Sequence, residues 1–271
     1  HSVDLSNAGL RGYPARTFHV SPKGDDANDG RSPATAWATF ERGDRDGMLL
    51  PGDTVLVAAG TYAVSRPIEV CAGTAAKPII YKADGKVVLN PANGAPHALQ
   101  IKKPARHVVL DGFTIQGGQS PLGLTDTIGN RIMNCSISDR TAGVSAPLVH
   151  LSSSGSNWLH NCTIGPAAAL GASGIVDENS TGGDRFHNNT IADVTDWGVS
   201  VLGGSGAQGM EFRNNIIAKA AGGIRTDNPL LAHSHNILYR ITQTLYSGTS
   251  PGQQERTWSP IFFDAANRDY R

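Results

Sequence analysis

The chain is poor in several things that would narrow its class. Three cysteines in 271 residues are too few for a disulfide framework. Formal net charge is zero, which speaks against a nucleic-acid partner, since neutralising phosphates needs a basic excess. An acidic polysaccharide stays open, because it requires only a local basic patch. No apolar run approaches the ~20 residues of a membrane-spanning helix. No signal-peptide pattern opens the chain, which starts at His1 without methionine and is expected to be a mature or trimmed form. Helical periodicity is also missing: no stretch carries the ten or more residues of 3.6-residue pattern that helical repeats need.

What the chain does have is repetition. The phrases MNCSI, HNCTI, HNNTI, RNNII and SHNIL recur from Met133 to Leu238, after a weaker first copy, DGFTI, at Asp111. They end at Ile115, Ile137, Ile164, Ile191, Ile217 and Leu238, in steps of 22, 27, 27, 26 and 21 residues. A second phrase keeps pace, as SGIVD at Ser173, WGVSV at Trp197 and GGIRT at Gly222. Units of this length that cannot bury an apolar face alone stack as a solenoid. Short Ile, Val, Leu and Phe runs alternating with period two, broken by Gly, Asn, Ser and Asp, make three strands per coil. The expected fold is therefore all-β: a single-stranded, right-handed parallel β-helix. With 39% apolar residues and no linker-like stretch, one domain over 1–271 is expected. Its parts are a loose arm (1–17), an N-terminal cap (18–53), coils (54–246) and a C-terminal cap (247–271).

Two asparagine registers follow from the repeat. Asn134, Asn161, Asn188 and Asn214 hold one, suited to the left-handed backbone of a sharp turn. Asn189, Asn215 and Asn236 hold the next, where stacking at ~4.8 Å lets amides bond from coil to coil. Cys135 and Cys162 occupy that second register one coil apart, within disulfide range, and are read as buried thiols.

Near the N-terminus, Val20-Ser21-Pro22-Lys23-Gly24-Asp25-Asp26 and Asn28-Asp29-Gly30 resemble the opening blocks of secreted right-handed parallel β-helix proteins related to pectate and alginate lyases. Pro51-Gly52-Asp53-Thr54-Val55-Leu56-Val57, Gly60-Thr61-Tyr62, the stretch from Gly73 to Ala83 and the terminal SPIFFDAANRDYR are similar to further blocks of that family. The resemblance covers nearly the whole chain from Phe18. It implies a secreted or cell-surface protein, but its motifs are scaffold and carry no chemistry. Asp25, Asp26, Asn28 and Asp29 are read as a cap turn, because the acidic ligand of a calcium-binding hand is missing at its spacing. A short helix closing the open end is expected over Ala36 to Arg42.

Candidate site residues come from the side chains that alternation turns outward. On the first strand Val149, Ile175, Val199 and Ile224 are expected inward, with Gln100, Leu124, His150, Val176, Ser200 and Arg225 outward. Glu178 and Asp227, two positions further on, stand two coils (~10 Å) apart. That is too far for a retaining carboxylate pair, so glycoside hydrolysis recedes, and the two are assigned to substrate contact. Lyase chemistry on a uronate needs a base for the proton α to the carboxylate and a cation for the developing charge. The resemblance implies Lys or Arg as base, with calcium or Arg for the charge. Lys219 or His150 is accordingly the candidate base and Arg225 the charge stabiliser, with Asp177, Asp193 and Asp196 as oxygen ligands for Ca²⁺. On the second strand Arg131, Trp158 and Arg185 form an outward column, a platform for a sugar ring flanked by cations or else a cation–π ladder. His160 and His187 beside it are read as surface. The expected activity is β-elimination on an acidic polysaccharide by a monomer. The alternative is a non-catalytic, glycan-binding or structural β-helix.

Overall fold

A computed structural model describes residues 14–92, 94–139, 145–203 and 208–260. Among the described residues nineteen strands form one continuous sheet whose strand pairings are parallel, with register shifts in four of them. Each coil contributes three faces. The first carries Leu99–Lys102, Leu122–Thr125, Val149–Ser152, Ile175–Glu178 and Trp197–Leu202. The second carries Arg131–Met133, Trp158–His160, Arg185–His187, Glu211–Arg213 and Ala232–Ser234. The third carries Ser136–Asp139, Thr163–Ala167 and Thr190–Ala192. The longer strand Ile216–Thr226 bends from the third face onto the first.

Alternation builds the core. Val149, Ile175, Val199 and Ile224 stack in one inward row and are fully buried. Ile137, Ile164, Ile191, Ile217 and Leu238, the ends of the repeated phrase, stack in another. Because coils sit a strand spacing apart, each aliphatic side chain packs on its own counterpart above and below.

Between the second and third faces both asparagine registers behave as the repeat predicts. Asn134, Asn161, Asn188 and Asn214 all have φ 56°, the left-handed backbone that turns the corner, and His235 (φ 57°) takes the next coil. Asn189, Asn215 and Asn236 are buried. The Asn215 and Asn236 side-chain oxygens accept from the backbone and side-chain N–H groups of the asparagine before them, as in Asn189 N to Asn215 Oδ1 at 2.9 Å and Asn215 N to Asn236 Oδ1 at 2.9 Å, while Asn189 Oδ1 accepts from Cys162 N at 3.0 Å. Their amides donate back to Leu159, Phe186 and Phe212 carbonyls. The ladder ends on Glu255, whose carboxylate accepts from Asn236 Nδ2 at 2.6 Å. Cys135 and Cys162 continue the same row as free, buried thiols.

The N-terminal end differs from the sequence expectation. The strand Thr17–Val20 pairs with Thr54–Val57, so the sheet begins inside the segment expected as a loose arm. The closing helix is Arg42–Arg45 rather than Ala36 to Arg42, preceded by a 3₁₀ turn at Pro33–Thr35. The Asp26 carboxylate accepts the amides of Ala38 and Thr39, each at 2.9 Å, and so competes with helical bonding there. Asp25 and Asp29 likewise accept local backbone amides. Trp37 and Phe40, both buried, plug the end of the barrel, Trp37 stacked on Phe18 at 4.7 Å. At the far end Gln253 and Arg256 bridge to Ser234 and Ile237. The remainder of the expected C-terminal cap, 261–271, lies outside the described residues, as does the arm over 1–13.

Candidate functional site

The first face carries the residues expected to do chemistry, and the register keeps them apart. Gln100, Gly123, His150, Val176, Ser200 and Arg225 form its outward row. Leu124, expected in that row, pairs with Leu151 and is buried, because Gly123 holds the outward place. His150 Nε2 lies 3.3 Å from Glu178 Oε2, a histidine oriented by a carboxylate on the outer surface. Arg225 is exposed and, among the described residues, makes no ion pair, but it stands three coils from His150, ~14 Å away. One sugar cannot meet both. Asp227 accepts the Gly203 amide at 3.1 Å. Lys219 lies on the turn between the third and first faces, its Nζ 3.4 Å from Asp193 Oδ1 in the coil before, so a carboxylate already neutralises the second candidate base.

The three proposed calcium ligands do not converge. Asp193 faces Lys219, and Asp196 accepts from Ser173 Oγ at 2.9 Å. Asp177 is fully buried: it continues the inward row between Leu151 and Val201. Among the described residues no three His, Cys, Asp or Glu side chains are grouped to hold a metal ion. This donor set does not fit Ca²⁺, which takes six to eight oxygens.

Asp177 instead lies near a second ladder and feels the charge at its end. Asn130 N bonds Asn157 Oδ1 at 3.1 Å, and Asn157 N bonds Asp184 Oδ1 at 2.8 Å, in steps of 27 residues. Asp184 is buried and its carboxylate also accepts Asn157 Nδ2 and Ser180 Oγ. Burial, together with the charge of Asp184, pushes the Asp177 carboxyl up to about 9. That favours its protonated form at neutral pH, and neither of its oxygens has a hydrogen-bond partner among the described residues; the pKa of Asp184 is likewise raised by burial, against its hydrogen bonds.

The second face brings its expected residues together. Arg131, Trp158 and Arg185 are direct register partners in successive coils and line one groove of about 300 Å³. Both arginines are exposed, and neither is hydrogen-bonded or ion-paired among the described residues. The Arg131 guanidinium carbon lies 5.7 Å from the Trp158 ring centroid. One wall comes from Thr74, Ala75 and Pro78, and the turn side from His107, Gly129, Ser156 and Gly183. Gly129 (φ 70°) lets the His107 ring pack against it: a Cβ would sit 2.4 Å from His107 Nδ1. His160 and His187 flank the indole, at 4.3 and 6.0 Å between ring centroids. Burial first, then neighbouring Arg131 for His160, lowers both imidazoles' pKa; for His187 the Glu211 carboxylate opposes burial. Sequence reasoning found the column but not its wall, and it missed the Asn130–Asn157–Asp184 ladder although the repeat step was there to be read.

The pectate lyase Pel9A superposes with a TM-score of 0.66 at 15% identity, over 90% of this chain and 75% of that one. The right-handed parallel β-helix is the shared fold. XylC in complex with xylose gives 0.58 at 11% identity, over 89% and 70% of the two chains. An alginate lyase from Paenibacillus sp. str. FPU-7 gives 0.51 at 12%, over 88% and 99%. No family model and no curated protein sequence matches the chain. No helix among the described residues is long and apolar enough to cross a membrane.

Proposed function

We propose that the protein binds an acidic, uronate-containing polysaccharide in the groove of Arg131, Trp158 and Arg185. The observation that carries this reading is that two unpaired guanidiniums and an indole converge in one groove. A guanidinium pairs a carboxylate bidentately, and an indole face takes the apolar face of a pyranose. The local cluster supplies the basic patch that a chain of zero net charge needs for such a partner. The fold shared with a pectate lyase and an alginate lyase is in keeping with it. A protein with this task meets its polymer outside the cell, and secretion belongs to the same reading. Affinity electrophoresis in gels containing pectate, alginate or a glycosaminoglycan tests it. Retardation by at least one polymer, lost in the Arg131→Gln/Arg185→Gln double variant, is expected; unretarded migration in all of them refutes it.

A second reading is favoured by the His150–Glu178 pair on the first face. The His150 imidazole there abstracts the proton α to a uronate carboxylate. The electron pair forms the new C=C bond, the glycosidic C–O bond breaks, and the leaving oxygen takes a proton. Arg225, three coils away, holds the carboxylate of another sugar and does not stabilise the developing charge. The assay is ultraviolet absorbance of unsaturated uronate across the same polymers. A rise that His150→Ala abolishes supports β-elimination; no rise on any polymer removes it and leaves the binding reading standing.

A further inference from the structure

The direction of the groove restricts which acidic polymer it fits, given the reading that it binds one. Four successive coils line the groove through the register partners Val109, Arg131, Trp158 and Arg185, so it runs parallel to the solenoid axis. Neighbouring coils are ~4.8 Å apart, about the advance of one sugar in an extended β-(1→4)-linked chain. A chain lying in the groove thus meets one coil per sugar. Arg131 and Arg185 are two coils apart, ~10 Å, on the same side of the sheet. Trp158, in the coil between them, presents a ring and no charge. The next coil puts Glu211 at the same register, its Oε2 3.0 Å from His187 Nε2. A further carboxylate is repelled there.

We propose that the groove selects a linear polysaccharide whose anionic group returns to the same side at every second sugar. Two polymer types share that chemistry: an alternating uronate–neutral copolymer, and a β-(1→4)-linked polyuronate whose successive sugars are related by a half-turn. In either, carboxylates reach Arg131 and Arg185 while the sugar between them stacks on Trp158. An α-(1→4)-linked galacturonate chain is not in half-turn phase and satisfies one arginine at a time.

The test is calorimetric titration of the whole chain with three hexasaccharides at low ionic strength: hyaluronan, β-(1→4)-glucuronate and α-(1→4)-galacturonate. At least one of the first two is expected to bind about tenfold or more tightly than galacturonate, the worth of one added charge-assisted hydrogen bond. Which of them does so distinguishes the two polymer types. Arg131→Gln and Arg185→Gln are each expected to bring the favoured ligand down to the galacturonate level, with circular dichroism showing both variants folded. Equal affinities, or tighter binding of galacturonate, overturn the alternation and leave the groove as a binding site. No binding by any of the three overturns both.

Discussion

Replacing Asp177 by asparagine is expected to stabilise the protein, and to do so more as pH rises. Asp177 sits in the inward row between Leu151 and Val201 with its carboxyl pushed up to about 9. A carboxyl whose folded pKa is raised binds its proton more tightly in the folded state. Its stabilisation is complete below the unfolded value near 3.9 and is lost as pH rises towards the folded value. Between those limits the loss runs at about 1.4 kcal/mol per pH unit, reaching on the order of 4 kcal/mol at pH 7. Asparagine has almost the same shape and stays neutral at every pH without binding a proton. The Asp177→Asn variant is thus expected to match the wild type near pH 4. At pH 7 its melting temperature should be about 10 °C higher, taking 2–4 °C per kcal/mol for a domain of this size. Melting curves by circular dichroism at pH 4.5, 6, 7 and 8.5 provide the measurement. Other titrating groups are common to both proteins and cancel in the difference. A difference that stays constant with pH, or a variant less stable at pH 7, would falsify the raised, proton-holding carboxyl at Asp177.

Three further outcomes concern the two asparagine registers and the glutamate that ends one of them. Asn215→Ala removes a buried side chain bonded to Asn189, Asn236 and the Phe186 carbonyl, and should cost about 3 kcal/mol in urea unfolding. Asn214→Gly, at the neighbouring left-handed position, should change stability little, since glycine adopts that backbone freely. Glu255, although burial opposes it, is held below its usual range by bonds from His233, Asn236 and the Gly252 amide. A depressed carboxylate stabilises above its unfolded pKa and loses that contribution as pH falls through the folded one. The stability advantage of the wild type over Glu255→Gln should therefore shrink on acidification from pH 6 to pH 3, as melting temperatures will report.

Much of the solenoid was legible because its constraint is periodic. Ile137, Ile164 and Ile191 recur at the coil length, and a repeat of that kind fixes which side chains stack. The left-handed asparagines, the buried ladder and the Arg131–Trp158–Arg185 column all follow from that one regularity. Where inference failed, a second physical consideration had overridden the alternation. Ile175 inward puts Asp177 inward too, yet Asp177 was assigned as an oxygen ligand for Ca²⁺, a role that needs it outside the core. The ladder of Asn130 and Asn157 was hidden because its third member is an aspartate. The groove wall at Thr74–Pro78 is not part of the repeat, and no spacing announces it. The cap helix shifted because Asp26, twelve residues from Ala38, takes its amide, a contact that local propensity does not encode.

The central claim is that the groove on the second face holds an acidic glycan through its two arginines. It is tested most directly by calorimetric titration of a uronate oligosaccharide into wild type and into the folded Arg131→Gln/Arg185→Gln variant, at low and at physiological salt. The account predicts saturable binding by the wild type that weakens with salt, and a loss of about a hundredfold or more in the variant. Equal binding by the two proteins would contradict it.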